Sequence, residues 1–255
     1  MPTPKKKNLN LNFMRINKFL VRAKIAPSRR KADQLINAEL VEINHRIAKC
    51  GDMVDPQVDQ VCFKGRKISI NDNEKKYIAL YKPRGYICSH RKYPYQLNIL
   101  DLLPPGIRWI WSGRLDKPSE GLMLVSNDGY WIDRVTHPSY QVDRVYQVEL
   151  KTELTDAQRA KLEKGIMDKG ELLKAKKVVG KGTDIKIVLS AGKNRQVRRM
   201  IKNFNIEILN LKRIEHGIVH LNHLKPGQCR NLNRGEIDYF FNLTKQNKSC
   251  KLTEN

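Results

Sequence analysis

The sequence predicts an α+β chain in two parts: a small module of two helices and short strands, then a larger domain on a largely antiparallel or mixed β-sheet flanked by helices. Short apolar stretches with a two-residue alternation outnumber helical ones. The helices fall among them irregularly, unlike the strict rhythm of a parallel doubly wound sheet. The polar run NDNEKK (71–76) reads as a linker between two regions that each carry their own hydrophobic pattern. A length of 255 residues, 40% of them hydrophobic, allows a small domain followed by a medium one.

Residues 1–13 are polar and Lys-rich and are expected to form a flexible basic arm. From Arg15, the residues Ile16, Phe19, Leu20 and Ala23 repeat at three and four, which predicts one apolar helix face. Ala26-Pro27 ends that pattern, and Ser28 is a candidate N-cap for a second helix carrying Ala32, Leu35 and Ile36. LVEIN (40–44), the turn GDMVDP and VDQVCF (58–63) complete a module expected over 14–72. The larger domain, expected over 77–243, opens with the strand YIALY and the turn Lys82-Pro83-Arg84-Gly85. Further strands are expected at 108–111, 121–126, 145–150, 184–190 and 206–211. Helices are expected at 130–137, after Thr155, after Lys193 and at 234–241, with Thr155 and Gln158 at capping-box spacing. A flexible tail is expected over 244–255, and no segment repeats at a solenoid period.

The charge balance narrows the partners. There are 49 Lys/Arg and 26 Asp/Glu, a formal net charge of +23. Residues 1–72 hold 15 basic and 7 acidic side chains, a net of +8, which leaves +15 for the remainder. Both parts would therefore attract a polyanion, and nucleic acid is the expected partner. The five cysteines (Cys50, Cys62, Cys88, Cys229, Cys250) are odd in number and form no C-x-x-C pair, as expected of reduced thiols in a cytoplasmic protein. The N-terminus lacks the apolar stretch of a signal peptide and no run approaches membrane-spanning length, so no membrane partner is expected.

Three segments carry the functional reading. The first gathers Arg29, Arg30 and Lys31 at the start of the second helix, where free backbone amides already favour phosphate. Three basic residues alone would read as a solvated helix face. The surrounding pattern, from Arg15 to about Ile70 with SRRKA (28–32) and GDMV-x-P, resembles the alpha-L RNA-binding domain first described in a small-subunit ribosomal protein. Glu39 and His45 depart from it, standing where that pattern commonly has glycine.

The second segment, GRLDKPSEGLMLVSNDG (113–129), puts Arg114 and Asp116 two apart on a loop that leads into a buried strand. An extended loop would turn both side chains to one side, and the strand would hold a carboxylate on a rigid support. R-L-D by itself is a common tripeptide, and a loop salt bridge would be the plain reading. The third, SAGKNRQVRRM (190–200), is a glycine and a basic run entering a helix. It is no P-loop: Ile187 stands where the first glycine is required, and Asn194 replaces the Ser/Thr.

Together these strings resemble the signature motifs of RNA pseudouridine synthases, in the RsuA/RluB-like branch. Lys82-Pro83-Arg84-Gly85, HPSYQVDRVYQV (137–148) and the stretch 213–237 extend the resemblance to about Phe241. The resemblance implies that Asp116 is the one residue required for chemistry, that Arg198 pairs with it, and that Tyr146 lies against the target base. It implies that Arg114 fills the space left by a flipped nucleotide or clamps a phosphate, with Lys193, Arg195 and Arg199 beside the RNA backbone. The implied reaction isomerises uridine within RNA, most closely like enzymes of large-subunit ribosomal RNA. Small-subunit RNA, a transfer RNA, or a non-catalytic role in ribosome assembly are the alternatives. Nothing is oxidised and no group leaves permanently, so no cofactor is expected; a monomer is expected. His216, His220 and His223 are spaced by four and three on a strand-and-turn segment where they would not converge, so no metal is expected either.

Overall fold

The computed structural model describes residues 13–70 and 74–244. The expected arm over 1–13 (save Phe13), the tail over 244–255 (save Thr244), residues 71–73 of the expected linker and Cys250 lie outside the described residues. The chain forms two compact units, Met1–Glu74 and Lys75–Asn255.

In the first unit, the helices Ile16–Arg22 and Arg29–Asn37 bury Ile16, Phe19 and Leu20 from one and Ala32 and Ile36 from the other. The Ser28 hydroxyl accepts from the Lys31 amide at 3.2 Å, so the cap forms as the sequence predicts. A four-stranded antiparallel sheet packs beside them, built from Val41–Ile43, Arg46–Ile47, Val61–Phe63 and Arg66–Ile68. VDQVCF is strand only over its last three residues. Asp59 explains the shortening, since its carboxylate accepts from the Asn44 side chain and the Asp55 amide and makes that stretch a turn. Glu39 and His45 both adopt left-handed backbone, with φ of 58° and 65°. The two non-glycine residues thus keep the turns that glycine usually makes.

The second unit is built on a nine-stranded sheet. Its path runs Lys177–Lys181, Asp184–Leu189, Arg144–Leu150, Ile208–His216, Glu120–Ser126, Tyr77–Lys82 and Cys229–Asn231, while off this path Val219–His220 pairs with Ile208–His216 and Ile110–Trp111 with Glu120–Ser126. Every pairing is antiparallel except Ile208–His216 with Glu120–Ser126, which is parallel and only two residue pairs long, Lys212 opposite Glu120 and Arg213 opposite Gly121. The backbones come close at that seam. A Cβ on Gly121, whose φ is 108°, would lie 2.6 Å from the Arg213 amide nitrogen. Only glycine fits there.

Both faces of the Tyr77–Lys82 and Glu120–Ser126 strands are covered, which is why YIALY and GLMLV read as unbroken apolar runs. Ile78, Leu80, Met123 and Val125 join one core with Trp109 and Leu115. Ala79, Tyr81, Leu122 and Leu124 join another with Trp131, Val135 and Phe240, from the helices Gly129–Thr136 and Arg234–Asn242. A third core gathers Val148, Ile185 and Ile187 with the helices Asp156–Lys164 and Gln196–Lys202. The Thr155–Gln158 capping box forms. Sequence reading missed Lys177–Lys181 and the hairpin Ile166–Asp168 with Glu171–Leu173, because charge and glycine dilute their alternation. It also ended the 206–211 strand too early: the strand continues to His216 through Arg213, a charged residue buried within it.

Candidate active site

The loop from Ser112 to Ser119 is fastened at several points. Ser112 accepts from the Leu124 amide through its hydroxyl, and Leu115 drops into the core beside Trp109. Cys88 Sγ donates to the Leu115 carbonyl at 3.4 Å, and the Gly85 amide donates to the Lys117 carbonyl at 2.8 Å. Lys82 lies fully buried beneath the loop, and its ammonium donates to the carbonyls of Ser119 at 2.6 Å and Pro83 at 3.0 Å. Burial pushes the Lys82 pKa down to about 8, against the pull of Cys88, Asp116 and Glu120. With Leu115 turned inward, its neighbours Arg114 and Asp116 turn to the same cleft.

Asp116 meets two guanidinium groups from the segment 190–200. Its Oδ2 is 3.7 Å from Arg198 Nε and 3.5 Å from Arg195 Nη1. Arg198 is further aimed by hydrogen bonds from Nη2 to Ser119 Oγ at 3.0 Å and the Pro118 carbonyl at 3.3 Å. Its side chain is 18% exposed and that of Asp116 28%, so the pair is shielded without being sealed. Burial lowers the Arg198 pKa, opposed chiefly by Asp116. Arg195 is half exposed and caps the Gln196–Lys202 helix with left-handed backbone, φ 49°.

The acid opens onto a cleft of about 440 Å³ lined by Arg114, Asp116, Lys117, Lys193 and Arg195, within the range of sites that hold a small organic group. A smaller recess of about 70 Å³ adjoins it and brings in Tyr146, Ser119, Arg198 and the apolar Leu189 and Leu211. Tyr146 comes from the Arg144–Leu150 strand. Its neighbour strand shifts register beside it: Val145 faces Glu215, but Tyr146 faces Arg213. That leaves Ile214 as an extra residue, a bulge of the kind that re-aims side chains next to sites.

The structure thus brings Asp116, Arg198, Tyr146, Arg114, Lys193 and Arg195 into the cleft and its adjoining recess from three separate stretches of chain. Lys193 also donates to the Leu172 carbonyl at 2.9 Å. Arg199 does not join them. Its guanidinium is held by Asp168 Oδ2 and by Glu171 Oε2 at 2.6 Å, and these two bonds raise its pKa. The structure thus places Arg199 outside the cleft, paired with two carboxylates of the 166–173 hairpin, which it fastens to the helix. Arg29, Arg30 and Lys31 lie in the other unit, exposed on the first turn of their helix.

Sequence reading missed Lys82 as a buried anchor, Ser119 as a guide for Arg198, and Arg195 as a second cation on Asp116. The only available signal was their presence within the recognised strings. Among the described residues, no three His, Cys, Asp or Glu gather as a metal would need. His216 is wholly buried against the Val135 carbonyl, with its pKa driven well below the usual value by burial and by Arg144 and Arg213. No described helix is long and apolar enough to cross a membrane.

Comparison with known proteins identifies the family. The family described as RNA pseudouridylate synthase matches residues 76–203, and the S4 domain matches residues 14–59. A protein of Aquifex aeolicus named as an RNA pseudouridine synthase is 35% identical over 237 residues, covering 89% of this chain and 94% of its own. The ribosomal large subunit pseudouridine synthase B of Bacillus subtilis is 33% identical, covering 88% and 93%. The ribosomal small subunit pseudouridine synthase A of Pasteurella multocida is 29% identical, covering 89% and 99%. A crystal structure of a pseudouridylate synthase superposes with a TM-score of 0.65 at 28% identity, over 89% of this chain and 99% of that one.

Proposed function

The chain belongs to the RNA pseudouridylate synthase family with an N-terminal S4 domain, and from that premise we propose that it isomerises uridine in large-subunit ribosomal RNA, with Asp116 as the reacting group. The observation that carries this reading is the carboxylate of Asp116, paired with Arg198 at 3.7 Å and opening onto a basic cleft next to Tyr146.

In the reaction, the bond from uracil N1 to the ribose C1′ breaks, the base turns, and a bond from C5 to C1′ forms. The proton on C5 is lost and N1 gains one, so the atoms balance without a redox partner. Asp116 serves either as nucleophile at the sugar or as base at its neighbouring carbon, and both roles need it ionised. Arg198 and Arg195 stand beside it as counter-charges, at 3.7 and 3.5 Å from Oδ2.

A stacked uridine cannot reach the carboxylate, and the nucleotide must leave its stack at a cost of a few kcal/mol. Packing on the Tyr146 ring recovers about 1–3 kcal/mol of that. Arg114 and Lys193 line the cleft, which supports a role for both at the flanking phosphates. Large-subunit RNA is favoured by the names of several relatives. Mapping pseudouridine in ribosomal RNA from cells with and without the protein tests the assignment. Loss of a large-subunit site supports it; loss confined to small-subunit or transfer RNA overturns the target.

A further inference from the structure

The loop that leaves the rim of the cleft has a chemistry that neither the fold nor the Asp116 site requires. Ile87 and Cys88 line the cleft, and the chain returns at Leu97, whose carbonyl accepts from the Ile87 amide at 2.9 Å. Between them runs SHRKYPYQ (89–96), with two tyrosines, no carboxylate and two cations; Lys92 is paired with Asp101 at 2.8 Å, and Arg91 stands over Tyr93. The root is rigid. Asn98, almost fully buried, donates to the carbonyls of Ser89 at 2.9 Å and Arg91 at 3.3 Å, and His90 stacks on Trp111 with ring centres 4.2 Å apart.

The tip is a four-residue turn. The Gln96 amide donates to the Tyr93 carbonyl, Pro94 stands second, and Tyr95 stands third with φ of 60°. That is the arrangement of a type II turn, whose third position calls for glycine or asparagine. A tyrosine there strains the backbone, and its ring is completely exposed, so it contributes nothing to packing. Other non-glycine residues of the chain share this backbone, so it is the full exposure of a large aromatic ring on a rooted turn beside the cleft that points to a contact beyond the fold. Tyr93 beside it is also exposed, with the Arg91 guanidinium over its ring at 5.2 Å.

We propose that this turn is a stacking platform for an unpaired base of the RNA, next to the nucleotide that enters the Asp116 cleft. Exposed aromatic rings interleaved with cations are what single-stranded nucleic acid recognises, because every base offers a flat face and every linkage a charge. The loop springs from the cleft and is tied to the Asp116 loop through Cys88 and Gly85, so a base on the platform belongs to the same strand as the target. The inference rests on the RNA reading above.

The test uses the full chain in an Asp116→Asn background, which keeps turnover out of the measurement. The probe is a single-stranded RNA of about 12 nucleotides carrying 2-aminopurine, whose fluorescence falls on stacking, beside a fully paired duplex of the same sequence. Tyr95→Gly should leave the melting temperature unchanged or raise it, since glycine suits the turn, yet weaken single-strand binding about 5- to 100-fold and abolish the quenching. Tyr95→Phe should retain both, and duplex binding should not move. Normal single-strand binding by Tyr95→Gly overturns the platform alone, as does equal weakening toward duplex, which would signal a general surface effect. Failure of the parent protein to bind the strand at all overturns the RNA reading and the platform with it.

Discussion

Replacing Asp116 with asparagine keeps the shape of the side chain and removes its charge, so it separates binding from chemistry. Asp116→Asn should bind RNA nearly as well as wild type and form no pseudouridine; turnover near wild type would remove Asp116 from its proposed role. Arg198→Lys should lower kcat about 100-fold, because one ammonium cannot reach Asp116 while also holding Ser119 Oγ and the Pro118 carbonyl. Lys82 makes a pH-dependent contribution whose sign follows from its depressed pKa. The unfolded chain holds that proton to about pH 10.4, the folded one only to about pH 8. Stability therefore rises between those limits, where the unfolded state binds more protons. Tyr81, pushed up to about 12 by burial and by Glu120, works the other way above about pH 10. Melting temperatures of wild type and Lys82→Met from pH 7 to 10 should diverge through this window, with the upward slope absent in the variant.

At the scale of elements, the parallel seam and the 166–173 hairpin make distinct demands. Gly121→Ala should cost about 3 kcal/mol or more in urea unfolding, because a Cβ there meets Arg213 backbone on top of the backbone strain. Gly113→Ala, with φ 74° and open space around it, should cost only about 1–2 kcal/mol. Equal losses would contradict the close approach. Arg199→Gln should speed amide exchange in residues 166–173 and leave the salt dependence of RNA binding unchanged, since Asp168 and Glu171 already neutralise that cation. Most helix ends were legible because their signals are local: the caps at Ser28 and Thr155 act within three residues of themselves. The Ile214 bulge beside Tyr146 was not, since its cause is the mismatch between two strands far apart in sequence.

For the whole molecule, the net charge of +23 spread over both units makes salt the natural probe. Changing Arg29, Arg30 and Lys31 together to glutamine should weaken binding of a large RNA and shallow the slope of log Kd against log salt by about 2–3, with kcat at saturating RNA unaltered. An unchanged slope would remove that helix turn from the RNA surface. The two-part α+β plan, the RNA-facing charge and the string around Asp116 were all readable in the chain itself, because period, cap and motif are properties of neighbouring residues. Distance in sequence hid the rest. The convergence of Arg195 and Arg198 on one carboxylate oxygen, the withdrawal of Arg199 to the hairpin, and the buried ammonium of Lys82 under the loop each join segments about 30 to 80 residues apart. Two adjacent arginines, 198 and 199, are chemically alike and lie one step apart on a helix; only the folded chain, by turning one toward Asp116 and the other toward Asp168, gave them different work.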